Sequence, residues 1–144
     1  MKIILLIVIA IVVLGASGAV FLSMKSKSGS APGLVNGALA PCPSKPNCVS
    51  SEPGTPASHS IAPLDGDSWD KLPDAIGEAG GAIIARTDSY IAAEFETSLM
   101  RFVDDVEFRK AEDAVHVRSA SRVGKSDLGV NAKRIEQLRA ALSQ

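Results

Sequence analysis

The 144-residue chain has a formal charge of −1 that is unevenly spread: residues 1–28 hold Lys2, Lys25 and Lys27 and no acid, while residues 29–144 hold the other 12 basic groups and all 16 acids. That balance excludes a strongly basic nucleic-acid binder, so no nucleic-acid partner is expected. Two cysteines, two histidines, one Trp and one Tyr are too few for a Cys-rich zinc module or an aromatic haem pocket, and no metal or other cofactor is implied.

From Ile3 to Leu22 the chain is uncharged. At roughly 1.5 Å per residue such a run spans a hydrocarbon core of about 30 Å. Residues 1–24 therefore read as a membrane anchor or a signal peptide, with the membrane as partner through residues 3–22. In the signal-peptide reading, Lys2 is the n-region, Ile3–Leu14 the h-region, and Ala16, Ser17 and Gly18 a cleavage site before Ala19. Continuation of the apolar run through Val20, Phe21 and Leu22 exceeds a usual h-region and favours the anchor.

Lysines flank the run on both sides, so charge alone barely orients it. Cys42 and Cys48 enclose Pro43-Ser44-Lys45-Pro46-Asn47, and a loop with two prolines brings their sulfurs within bridging range. A disulfide places the domain in an oxidising compartment. The expected location is thus a single-pass protein of the cell membrane with its domain on the periplasmic or extracytoplasmic side, or a periplasmic protein released by cleavage. Two independent thiols are the alternative.

Residues 25–40 read as a flexible linker, from Lys25-Ser26-Lys27-Ser28-Gly29-Ser30-Ala31-Pro32-Gly33. Residues 41–144 then make one α+β domain. Six of the eight prolines fall between Pro41 and Pro63, which makes that stretch an irregular arm. Asp67 or Ser68 caps a helix starting near Trp69, or near Leu72 if Pro73 delays it, and Gly80-Gly81 ends it. Ala82–Arg86 and Tyr90–Glu96 read as a hairpin, followed by a second strand pair over Leu99–Arg109 and Ala114–Ser119. A last helix follows Asn131, with Ile135, Leu138 and Leu142 as its apolar stripe. The expected fold is a four-stranded antiparallel sheet with an N-terminal and a C-terminal helix packed on it.

Six bases crowd residues 118–139. Between strand and last helix runs a Gly-containing loop, Gly124–Asn131, whose helix-start N–H groups suit an anion. Lys133 and Arg134 in the first helical turn oppose the helix dipole, so a negative group should lie near them. The candidate ligand-binding residues are Arg118, Ser119, Ser121, Arg122, Gly124, Ser126, Asp127, Gly129, Asn131 and Arg134, converging on an anionic small molecule or lipid headgroup. In the alternative, Asp104, Asp105 or Asp127 supplies the negative charge and the arginines form structural ion pairs. Asp104 and Asp105, adjacent on a strand, point to opposite faces and suit ion pairs or a bulge rather than a shared metal. Catalysis would need one of them with a loop serine as a hydrolase or transferase, yet no nucleophile–base pair is legible and no catalytic residue is assigned. His116 reads as a sheet residue, and His59 as solvent-facing.

Three segments together resemble a known family. They are Cys42-Pro43-Ser44-Lys45-Pro46-Asn47-Cys48-Val49-Ser50-Ser51, then Phe102-Val103-Asp104-Asp105-Val106-Glu107-Phe108-Arg109, and finally Val117-Arg118-Ser119-Ala120-Ser121-Arg122-Val123-Gly124 through Asp127-Leu128-Gly129-Val130-Asn131 to Arg134-Ile135. The likeness is to domain-of-unknown-function family 1499, over about residues 41–142. It implies an exported or membrane-attached protein and brings no reaction. The expected function is a non-catalytic envelope domain binding an anion at the Arg/Gly loop, with a hydrolase or transferase and a structural or assembly factor as alternatives. Protein partners are not legible.

Overall fold

The computed structural model describes residues 1–144. The apolar run forms a single helix, α1 (Lys2–Lys27). It is long and apolar enough to cross a membrane, with a mean hydropathy of 3.0 over 18 residues, none of them buried. A signal sequence shares these properties. Residues 25–40, where a flexible linker is expected, hold the end of α1 and two short strands, β1 (Leu34–Val35) and β2 (Ala38–Leu39), paired as a hairpin.

The main sheet contains β3 (Cys48–Ser50), β4 (Leu64–Asp65), β5 (Ala82–Arg86), β6 (Tyr90–Glu96), β7 (Val103–Lys110) and β8 (Ala114–Ser121). It has six strands rather than four, and the β1–β2 hairpin is a separate two-stranded sheet. The four expected strands are β5 to β8, joined as an antiparallel meander. Along its outer edge β8 is long enough to pair both β3, at Arg118–Ala120, and β4, at Ala114–Val115. Two- and three-residue strands inside a Pro-rich arm or at its end are too short to show an alternating pattern, which is why they escape a reading of the sequence.

A 3-10 turn at Gly66–Ser68 leads to α2 (Leu72–Glu78), which carries Pro73 in its first turn, where a missing N–H costs nothing. The last helix is α3 (Val130–Leu142). Both helices lie on one face of the sheet. The core there joins Trp69, Leu72 and Ile76, Ile91, Ala93 and Phe95 of β6, Val106 and Phe108 of β7, Val115 and Val117 of β8, and Ile135, Leu138 and Leu142 of α3.

The alternate residues of β6, β7 and β8 face the other way. In an ordinary two-layer domain that face meets solvent, but here Asp105, Glu107 and Arg118 are buried. The cover is the segment between α1 and β3. Gly33 N–H donates to Glu107 at 2.8 Å and Leu39 N–H to Glu52 at 3.0 Å. His59 of the Pro-rich arm, beyond β3 and expected in solvent, is buried, with Nδ1 2.9 Å from the Cys48 carbonyl. Cys42 and Cys48 form a disulfide with Cα atoms 5.6 Å apart, so the chain has no free thiol.

Candidate functional site

The ten loop and helix residues do not form one site, because alternation along β8 divides them between two faces of the sheet. On the helix side lie Ser119, Ser121, Asp127, Asn131 and Arg134, with Asp104. Asn131, fully buried at the start of α3, is their centre. Its Oδ1 accepts from Ser119 Oγ at 2.6 Å and Arg134 Nη1 at 2.9 Å. Its Nδ2 donates to the Asn47 carbonyl at 3.1 Å, Ser121 Oγ at 3.0 Å and Asp127 Oδ2 at 2.8 Å. Arg134 donates to Asp104 Oδ2 at 2.7 Å and lies over the Phe95 ring, 4.9 Å from its centroid.

The anion suited to the Gly loop is therefore supplied from within the chain. Asp127 accepts the N–H of Gly129 at 3.1 Å and that of Asn131 at 2.8 Å, two donors of the α3 start. Burial alone would raise its carboxyl, but these N–H groups and the Asn131 amide outweigh it and hold the carboxyl below its usual range. Ser126 Oγ accepts from Leu128 N–H within the turn, and the Gly124 carbonyl accepts from Asn47 Nδ2, which ties the turn to the Cys42–Cys48 loop.

Arg118 and Arg122 belong to the opposite, arm-covered face. Arg118 stands directly across from Glu107 in the β7–β8 register, and Nη1 donates to its carboxylate at 3.1 Å. Glu107 has no exposed surface. It also accepts from Tyr90 Oη at 2.7 Å and Gly33 N–H at 2.8 Å. Burial, and next the Glu107 carboxylate, push the Tyr90 phenol well above its usual value. The Arg118 Nε is buried with no partner. Arg122 grips Asp105 with two nitrogens, at 2.9 and 2.6 Å, and reaches Glu94 as well. The hydrogen bond to Asp105 is the largest cause of its raised affinity for the proton. Its remaining nitrogen, Nη1, donates to the Ser26 carbonyl at the end of α1, at 3.0 Å. A Cβ at Gly29 would sit 2.8 Å from Arg122 Cδ, so the chain leaving α1 passes too close to this side chain for any residue but glycine without a shift. Arg109 completes the row with a two-pronged grip on Glu52, at 2.7 and 2.8 Å.

Asp104 and Asp105 thus serve opposite faces, as strand alternation requires, each against its own arginine. Sequence reasoning missed Glu52, Tyr90, Glu94, Glu107 and Arg109. The acids and base at every second position of β7, Asp105, Glu107 and Arg109, are the available signal, and they read as a solvated face unless something is known to cover them.

Two openings adjoin these networks. A cleft of about 190 Å³ lies between the β6–β7 turn and the Val123–Val130 loop, with Asp104 and Asp127 in its wall. Its acids oppose an anion. A groove of about 580 Å³ runs between the β1–β2 hairpin and the Glu52–Pro56 loop, with the closed Glu52–Arg109 pair at its base. Ser51 and His116 meet, but Nδ1 is 2.9 Å from the Ser51 carbonyl while Ser51 Oγ accepts the Val117 N–H at 2.8 Å. A nitrogen donating to that carbonyl is not free to take a proton from the serine. No group of three or more His, Cys, Asp or Glu side chains is placed to hold a metal.

Fold and networks together define an α+β domain behind an apolar N-terminal helix, with both faces of its sheet covered and its buried arginines paired internally. The chain belongs to the family described as "Protein of unknown function (DUF1499)", which matches residues 38–142. No curated protein and no solved structure matches it.

Internal pairing predicts the sign of arginine removal. Arg134→Ala leaves the buried Asp104 carboxylate unanswered, and Arg122→Ala does the same to Asp105. Each should destabilise the protein by about 3–5 kcal/mol in urea denaturation, while the exposed Lys133→Ala stays within about 0.5 kcal/mol. Variants of unchanged or higher stability would mean that the arginines are held for an external anion.

The lowered Asp127 carboxyl predicts a pH effect. Because folding lowers its pKa, its contribution is present above the ordinary carboxylate range, near pH 4, and is lost as pH falls through the lowered value. Asp127→Asn should reduce stability at neutral pH and flatten the acid limb of the stability curve. An acid limb that keeps its wild-type steepness in this variant would refute the assignment.

Proposed function

We propose that this chain is a membrane-anchored, non-catalytic domain of the cell envelope, on the periplasmic or extracytoplasmic side, acting as a structural or assembly module held in a fixed attitude at the end of its anchor. The observation that carries this reading is the seam between helix and domain. Arg122 Nη1 donates to the Ser26 carbonyl, Val103 N–H donates to Ser26 Oγ at 3.1 Å, and Ser23 Oγ donates to the Arg101 carbonyl at 3.2 Å. Ser26 is fully buried by this docking. A helix that is continuous through Lys27, with its last turns bonded to the domain, supports an uncleaved anchor over a processed leader, since a leader peptidase needs an accessible, unfolded site.

The Cys42–Cys48 disulfide supports export to an oxidising compartment. Each buried arginine already faces a carboxylate, which favours a structural role for the Arg/Gly motif over recognition of a headgroup or other anion. The same pairings favour a non-catalytic module over a hydrolase, because Asp104 is held by Arg134 and Ser119 by Asn131.

Full-length protein expressed in a bacterial host should stay in the membrane pellet after alkaline carbonate washing, and protease added to intact spheroplasts should digest the domain. A soluble product beginning near Ala19 would contradict the anchor. Digestion only after the inner membrane is lysed would reverse the sidedness.

A further inference from the structure

We propose that the β6–β7 turn, residues 97–102, is a second membrane contact, with Leu99 and Met100 seated in the interfacial layer of the bilayer that α1 crosses. The proposal rests on the anchored reading above and adds a lipid surface as the partner of a particular turn. Leu99 is 85% exposed and Met100 46% exposed, although each follows a strand whose other apolar residues are buried. Isolated exposed apolar residues need no explanation. These two differ in lying across a groove of about 300 Å³ from Ala19, Val20, Ser23 and Met24 of α1.

The level of that groove follows from the helix. The predominantly apolar run from Ile3 ends at Leu22, before Ser23, and at about 1.5 Å per residue its 20 residues match a hydrocarbon core of about 30 Å. Ala19 and Val20 then lie within one helical turn of the hydrocarbon boundary, and Ser23 and Met24 lie in the headgroup region. Side chains that share a groove with all four stand at the same depth. The lipid that must cover the bare apolar surface of α1 extends over the turn without interruption.

The turn is held in that position rather than dangling. Ser23 Oγ donates to the Arg101 carbonyl, and Arg101 N–H donates to the Thr97 carbonyl at 3.0 Å. Arg101 itself has φ of 53°, a left-handed conformation costly for a residue with a side chain. Its guanidinium is 2.7 Å from Glu96, which also meets Lys27 at 3.5 Å. Lys27 and Arg101 set two cations beside the apolar tip, with Glu96 the one acid between them, an arrangement suited to phosphate headgroups above and acyl chains below.

Labelling the full-length protein tests this directly, because the two native cysteines are joined and a single introduced thiol is unique. Leu99→Cys, Leu14→Cys within α1 and Ser89→Cys in the β5–β6 turn at the far end of the sheet are each labelled with an environment-sensitive fluorophore. The proteins are reconstituted in phosphatidylcholine and phosphatidylglycerol vesicles. Lipids spin-labelled near the headgroup should quench position 99, whose emission shifts to the blue, and lipids spin-labelled deep in the acyl chain should quench position 14, while position 89 stays unquenched and open to aqueous iodide. A position 99 that behaves as position 89 does, with position 14 quenched by lipid, overturns the second contact and leaves the anchor intact. Shielding of position 99 from both iodide and lipid would assign the tip to a protein surface and also overturn it. If position 14 escapes lipid quenching, the anchor itself fails and the second contact with it.

Discussion

Glu107 carries a negative charge at the centre of a sheet covered on both faces, and the rest of the molecule is arranged so that this charge is answered. An isolated buried carboxylate costs several kcal/mol even after relaxation. Here it receives an arginine from β8, a phenol from β6 and a backbone N–H from Gly33. Three remote pieces of chain are thereby fixed to one side chain. Removing any of them leaves the acid less satisfied, so the strand register, the Tyr90 end of β6 and the path of the arm depend on one another.

The same logic extends along the face. Arg122 is satisfied only if Asp105 and Glu94 come together in adjacent strands and the end of α1 arrives with the Ser26 carbonyl. Charge pairs of this kind contribute little net stability against an apolar layer of equal volume, but they penalise wrong arrangements heavily. That property suits a seam between an apolar helix and a domain, where an apolar surface would not by itself select one arrangement. The helix-side network around Asn131 plays the matching part for α3. It fills the helix start with Asp127 and fastens the first turn to β8 through Ser119 and Ser121.

Much of the architecture is legible in the sequence, and the gaps have physical causes. The long strands β5 to β8 and the helix after Asn131 show clear periodicity, and the pairing of Cys42 with Cys48 follows from two prolines in a short loop. Strands β3 and β4 are hidden by their length. The separation of Arg118 and Arg122 from Asn131 is implicit in the two-residue period of β8, since 118 and 122 share one parity and 119 and 121 the other. Grouping all of them into one loop site ignores that period beyond Ser119. The burial of Glu107 is harder to foresee. A polar residue alternating with Val106 and Phe108 marks a solvated face in most sheets, and only the arm from Gly33 to Leu39, rich in small residues and without regular pattern, closes it off. A composition suited to a flexible linker also suits a segment that must lie flat against a charged surface.

Amide hydrogen exchange of the full-length protein at Gly33 and Leu39 is the most direct test of this clasp. If Glu107 and Glu52 hold the arm on the sheet, both amides should exchange far more slowly than an unstructured chain, and Glu107→Ala should release Gly33 while the Asn131 amide stays protected. Exchange of Gly33 and Leu39 at the free-chain rate in the wild-type protein would contradict the account, leaving the arm a loose tether and the charged face without its cover.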